Sequence, residues 1–329
     1  MTVLAPPITS SSPTGTGGTV PSVRLVVGPA AAPLGTATVD ALRVLVGAGR
    51  ARWAEPGEPA DLLHTVGDLE EMMPTPTGAT VHSVDRIPLR GRELIASRTW
   101  TRRQRGLAGT RAAWLTHGRD ASRLVVRTGL VAGERVYCLP VLPPCAPTPT
   151  LERARVRHEL GLRPGVRLVV GHSGRSTAHW DAAIDRLHRD DLAVLHLAAQ
   201  PGCIERTGGS PRPWPLPDLL VAADLFVAAG NELTAVNPAA CALAMGVPVV
   251  AVTTDSAADL LTPGRDGHVV APAASAIAHA VSAHLDHVPR PRGPVRPTDH
   301  EGAALRLARS LLQVYRQVLA MPQGLWRRR

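Results

Sequence analysis

Lysine is absent from this chain, and all 36 of its basic residues are arginine. One phenylalanine and two tyrosines contribute to an aromatic content of only 3%. A coding bias toward Ala, Arg, Gly and Pro accounts for much of the arginine excess. The scarcity of aromatics argues against nucleic acid as the partner, because such surfaces interleave stacking rings with basic residues. No apolar run is long enough to span a bilayer. Cys138, Cys145, Cys203 and Cys241 are too few and too scattered for a disulfide framework, and no Cys/His group has zinc spacing. No metal is therefore expected. The first 20 residues lack both a basic start and an apolar core, so they read as a disordered leader, and the expected compartment is the cytoplasm.

What is present is an alternation of short apolar strands and helices. With 44% apolar residues, 329 positions can bury one large core or two modest ones. Ser22–Gly28 reads as a buried strand, followed by a small-residue loop over 29–38 and a helix over 39–46. Asp61–Val66, Ala79–Val84, Ala112–Thr116 and Arg135–Leu139 read as further strands, with an arginine-rich helical region between Arg86 and Arg111. Residues 140–150 are proline-dense and mark a domain boundary. Beyond them, strands are expected at Val166–Val170, Leu192–Leu197, Leu225–Ala228 and Val247–Thr253. Helices are expected at Leu151–Leu160, around Trp180 and Ile184, at Leu219–Ala223, at Pro238–Met245 and at 303–319. This order implies parallel sheets with helices on both faces. The domains are then a leader at 1–20, lobes at 21–143 and 144–300, a C-terminal amphipathic helix at 301–320 and a basic tail at 321–329.

The strongest local pattern is FVAAGNELTAVNPAACALAMGVPVVAV, ending at Val252. Asn237 suits an N-cap, Pro238 the first helical position and Gly246 the helix end. The N-terminus of such a helix, at the carboxyl edge of the sheet, favours a phosphate. Glu232, just before it, suits sugar hydroxyls.

This run resembles the donor domain of the GT-B-fold retaining glycosyltransferases of family four. LPDLLVAADLFV (216–227), ACALAMGVPVVA (240–251), DSAADLLTPGRDGHVVAP (255–272) and the loop at 171–174 carry the resemblance, which is faint over 20–135. It implies two Rossmann-like α/β lobes with a cleft between them, and a C-terminal helix crossing back to the first lobe. It also implies sugar transfer from a nucleotide-diphosphate donor to an acceptor, with retention, without a metal and with no cofactor beyond the nucleotide sugar. His82 and Glu232 become the expected catalytic pair. Gly171, Ser173, Gly174, Arg175, Thr234, Asn237 and Cys241 become donor-binding, and Gly35 and Thr36 an acceptor-side and phosphate loop. His64 is read as structural.

Some positions depart from the family pattern. Of two glutamates spaced by eight, the second falls at Cys241 and the first at Leu233, one residue from Glu232. His172 stands at the family's phosphate-binding arginine, which leaves Arg175 as the cation for a diphosphate. The family's docking on anionic membranes gives the cluster Arg86–Arg111 a peripheral membrane role, weighed against a solvated helix face. Two alternatives to transfer stay open: a catalytically silent protein that binds or stabilises a transferase, and an epimerase on the same frame.

Overall fold

A computed structural model describes residues 20–28, 31–55, 57–67, 79–88, 113–129, 131–143, 148–173, 178–197, 214–262, 264–287 and 300–321. The chain divides into two compact units. The first contains the chain up to Ile87, Arg92–Pro140 and Glu301–Arg329; the second runs essentially from Val141 to His300.

The first unit holds a six-stranded parallel sheet. Its strands are β1 (Ser22–Val27), β2 (Arg52–Trp53), β3 (Leu62–Val66), β4 (Ala79–Ser83), β6 (Ala113–His117) and β7 (Val136–Leu139), in the order β2-β1-β3-β4-β6-β7. The short strand Arg86–Pro88 is β5. It stands where the arginine-rich helix was expected to begin, and the rest of that cluster lies outside the described residues. Helix α1 spans Ala32–Gly47 and so starts seven residues earlier than its sequence suggested. Pro33 accounts for the early start, because a proline in the first turn lacks an N–H that would go unpaired there. Helix α2 (Arg119–Arg127) was not anticipated. Its apolar face is two residues wide, Ala121 and Val125, too few to register as a period.

The second unit is built on a five-stranded parallel sheet. Strands β8 (Arg167–His172), β9 (Leu192–Leu197), β10 (Leu225–Ala228), β12 (Val249–Val252) and β13 (Gly267–Val270) lie in the order β13-β12-β10-β8-β9. Its central strands are apolar on both faces, as burial under two helix layers requires. Leu168, Val170, Phe226, Ala228, Val249 and Ala251 enter one core cluster, and Val169, Leu225, Val227, Val250 and Val252 the other. Each Val, Leu or Phe side chain among them contributes about 1.5–3 kcal/mol by leaving water. The first cluster includes Val156 from helix α3 (Arg153–Glu159), Leu219 and Leu220 from α5 (Leu216–Ala222) and Ala239 from α6 (Pro238–Ala244). The second includes Trp180 from α4 (Ala178–Ile184) and Ile277 and Val281 from α7 (Ala274–His287). Its Ala, Ser and His content hid α7 from a reading based on large apolar residues.

Helix α8 (His300–Ala320) packs in the first unit and buries Leu307, Ala308, Leu311, Val314, Tyr315 and Val318. Among the described residues no helix is long and apolar enough to cross a membrane.

Candidate functional site

In the second sheet the chain leaves β8 for β9 on one side and later returns to lay β10 on the other. That reversal makes the carboxyl edge between β8 and β10 a topological switch point, where open α/β sheets place their ligands. Three loops converge on it, from neighbouring strands β8, β10 and β12.

The end of β8 contributes Gly171 and His172, and Ser173 follows it. Gly171 was expected to approach a phosphate. Instead the Trp180 indole occupies the space where a Cβ would stand, 2.3 Å from Cζ2, so this glycine serves helix–sheet packing. Ser173 is fully buried, and its Oγ lies 2.7 Å from His196 Nε2. Trp180 stacks on that imidazole with ring centroids 6.2 Å apart. Gly174 and Arg175 lie outside the described residues.

The β10 loop runs from Ala229 to Asn237. Ala229 N donates to the His172 carbonyl at 2.8 Å, which ties this loop to the preceding one. Glu232 opens the short strand β11 (Glu232–Thr234) and is largely buried. Thr234 Oγ1 lies 3.1 Å from Ser256 Oγ. Asn237 caps α6 as its sequence suggested, accepting from Ala239 N at 2.9 Å. Its amide nitrogen donates to Asp255 Oδ1 at 2.7 Å and to Ser256 Oγ at 2.8 Å.

These bonds revise the expected phosphate position. Pro238 has no N–H, Ala239 N is taken by the Asn237 side chain, and Ala240 N bonds to the Asn237 carbonyl. The first turn of α6 therefore offers no open donor, and Asn237 is engaged within the protein. Cys241 is fully buried in the first core cluster, among side chains such as Phe226 and Val249 rather than at a polar surface. A ribose contact needs exposure that this thiol lacks.

The β12 loop contributes Asp255, which was not singled out as a site residue. Its carboxylate accepts from Gly230 N at 3.0 Å, Asn237 Nδ2 at 2.7 Å and Ala257 N at 2.8 Å. Burial pushes this carboxyl up to about 6; the three donors pull it down, and the nearby Glu232 charge adds to the rise. The available signal was its place: an acidic residue three positions beyond a wholly apolar central strand falls at the ligand edge.

In the first unit, His82 was expected to touch the transferred sugar. It is fully enclosed, with Nδ1 2.9 Å from Thr65 Oγ1 and its ring edge-on to Trp114 at 4.7 Å. An imidazole with no exposed edge has nothing to present to a substrate, so packing accounts for it. His64, read as structural, is also buried and bonds to Tyr315 and Ser83. His117 is buried as well, its Nδ1 2.7 Å from the Pro140 carbonyl. Gly35, expected in a ligand loop, sits in the first turn of α1 against Val27, whose Cγ1 lies 2.5 Å from a Cβ built there. Thr36 follows on the exposed side of that helix. Among the described residues no three His, Cys, Asp or Glu side chains gather as a metal site.

No curated protein matches the chain. Solved structures match it in fold. A glycosyltransferase from Rickettsia africae ESF-5 superposes with a TM-score of 0.59 at 10% identity, over 91% of this chain and 98% of that one. HepE of Anabaena, in complex with UDP and glucose, superposes with a TM-score of 0.56 at 12% identity, over 92% and 100%. Sucrose-phosphate synthase from Thermosynechococcus elongatus does so at 0.50 and 14%, over 82% and 74%. The fold is therefore the two-Rossmann-unit α/β class of GT-B glycosyltransferases, and residues 166–287, which carry the switch-point edge, match the family Glycosyl transferases group 1.

Proposed function

We propose that this chain is a glycosyltransferase that moves a sugar from a nucleotide-diphosphate donor to an acceptor, with retention and without a metal. One observation carries this reading: residues 166–287 match the glycosyl transferases group 1 family, and this stretch includes the switch-point edge of the second sheet. The donor lies at that edge, between the loops after β8 and β10. Glu232 faces the sugar hydroxyls, and Arg175, three residues past the end of β8 in the sequence, grips the diphosphate. As the glycosidic bond breaks, charge grows on the leaving diphosphate, and fixed cationic and N–H groups lower the barrier there. The anomeric carbon becomes oxocarbenium-like, and Glu232 orients the sugar that carries it. The likeness to HepE, a protein solved with UDP and glucose, makes UDP-glucose the first donor to try. The protein works from the cytoplasm, and an arginine cluster within 86–111 gives it peripheral contact with anionic membranes.

A second reading has its own support. Cys241 stands in the core where a carboxylate is expected, and the N-terminal turn of α6 is already satisfied. A catalytically silent partner of a transferase would tolerate both. Nucleotide release from a panel of nucleotide sugars, with and without an acceptor extract, separates the readings. Release that depends on acceptor supports transfer, and binding without turnover under any condition overturns it. Conversion of the sugar without acceptor points to an epimerase.

A further inference from the structure

The loop after β10 is held by both polar groups of one residue. Gly230 donates its N–H to Asp255 Oδ2 at 3.0 Å, and its carbonyl accepts from Thr254 Oγ1 at 2.9 Å. Asp255 also reaches the far end of the same loop, where Asn237 Nδ2 donates to Oδ1 at 2.7 Å. A third bond, from Ala257 N, fixes the carboxylate to its own turn. One buried side chain thus fixes positions 230 and 237, and Glu232 and Thr234 are suspended between them. A Cβ on residue 230 would stand 2.3 Å from Oδ2, so the carboxylate can take this place only beside a glycine.

We infer that Asp255 is a positioning residue for the donor: by clamping the loop 229–237 it sets how Glu232 and the Gly230 side of the switch-point edge meet a nucleotide sugar. This rests on the donor-site reading above. A clamp needed for stability alone would be better made from neutral groups. Asp255 is enclosed, its three bonded partners are uncharged donors, and the charged group acting on it among the described residues is Glu232, of the same sign. Keeping an ionised carboxylate against that penalty is a trait of functional sites. The loop that it holds bears the sugar-facing carboxylate, which is where a rigid supporting bond matters most.

Asp255→Asn tests the clamp with little change of shape. The amide oxygen keeps the bonds from Asn237 and Ala257, while the new NH₂ faces the Gly230 N–H, donor against donor. The full chain is titrated calorimetrically with UDP, ADP and GDP at pH 7.5, and amide hydrogen exchange is followed over 228–238 without ligand. The expected result is faster exchange at 230–234, a melting temperature at most modestly lowered, and about a tenfold or greater loss of affinity for the diphosphate that the wild type binds. Asp255→Ala, which removes all three bonds, shows a larger loss of affinity. Below pH 6 the wild type weakens by a step that Asp255→Asn lacks, while titration of the phosphates is common to both. Unchanged affinity in both variants overturns the positioning role, and unchanged exchange overturns the clamp itself. A lowered melting temperature with normal affinity in the folded fraction marks a structural residue and also overturns it. A wild type that binds none of the three diphosphates removes the donor reading instead, an outcome distinct from a loss confined to the variants.

Discussion

Tyr315, in the middle of the C-terminal helix, lies with its hydroxyl 2.6 Å from Nδ1 of His64, a residue 251 positions earlier in the first sheet. With the phenol donating, His64 Nε2–H donates on to Ser83 Oγ at 2.7 Å. Helix α8 is thereby joined to the sheet by a buried polar chain as well as by its apolar stripe. Tyr315→Phe leaves His64 Nδ1 without its donor at an unchanged volume. The expected loss is about 1–3 kcal/mol, the penalty for stranding a buried polar atom. Deleting 301–329 removes Tyr315 together with the other buried side chains described for α8 and is expected to yield insoluble or grossly destabilised protein. A truncated chain as stable as the whole would contradict the packing described for α8.

Acid should act through the same region. Burial and the nearby His117 hold His64 down to about 3, and burial holds His117 down to about 4, against an ordinary value of 6.5. Both histidines are therefore neutral in the folded chain where an unfolded chain would charge them. Their contribution is complete above pH 6.5 and is lost as pH falls toward 4, by about 1.4 kcal/mol per pH unit for each histidine. Asp255 runs the other way. Its folded value of about 6 exceeds the ordinary 3.8, so its destabilising charge is relieved over the same range. Denaturant midpoints measured from pH 4 to 8 should fall on the acid side, more steeply in Asp255→Asn and less steeply in His117→Gln. A flat profile in all three would contradict the burial of these groups.

Gly171→Ala should be destabilising without touching any ligand. Its methyl would enter the Trp180 indole, and overpacking of this kind costs about 1–3 kcal/mol. Trimming the partner, as Trp180→Leu in the same chain, should recover part of the loss. No recovery would mean that the two do not share this space.

Cys241→Glu distinguishes a core position from a ribose site. A carboxylate placed in the core cluster that holds Phe226, Val249 and Leu219 loses its water, and a destabilisation of about 2–5 kcal/mol is expected. A variant that is stable and binds nucleotides more tightly would return Cys241 to the site.

Most of the sheet architecture was legible in the residues because central parallel strands must be apolar on both faces. Val249–Val252 and Leu225–Ala228 permit little else. The Asn237-Pro238 helix start was equally plain, since capping chemistry is local. What stayed hidden depended on contacts across the sheet. That Gly171 faces an indole, that the Asn237 amide is spent on Asp255, and that His82 is walled in by Thr65 and Trp114 are facts of packing between separate elements, which local sequence patterns do not show. A family resemblance assigns roles by position along the chain. Exposure then decided which of those positions has a surface to offer, and at Cys241 and His82 it does not.

The proposed donor site is tested most directly at Arg175, three residues beyond the end of β8 in the sequence. Nucleoside diphosphates and the matching nucleosides should be titrated calorimetrically into wild type and Arg175→Ala. A charge-assisted contact worth about 1.5–3 kcal/mol corresponds to a ten- to hundredfold loss for the diphosphate. The nucleoside, which has no phosphate to hold, should bind both proteins alike. Diphosphate affinity that is absent in the wild type, or unchanged in the variant, would contradict a donor site at this edge.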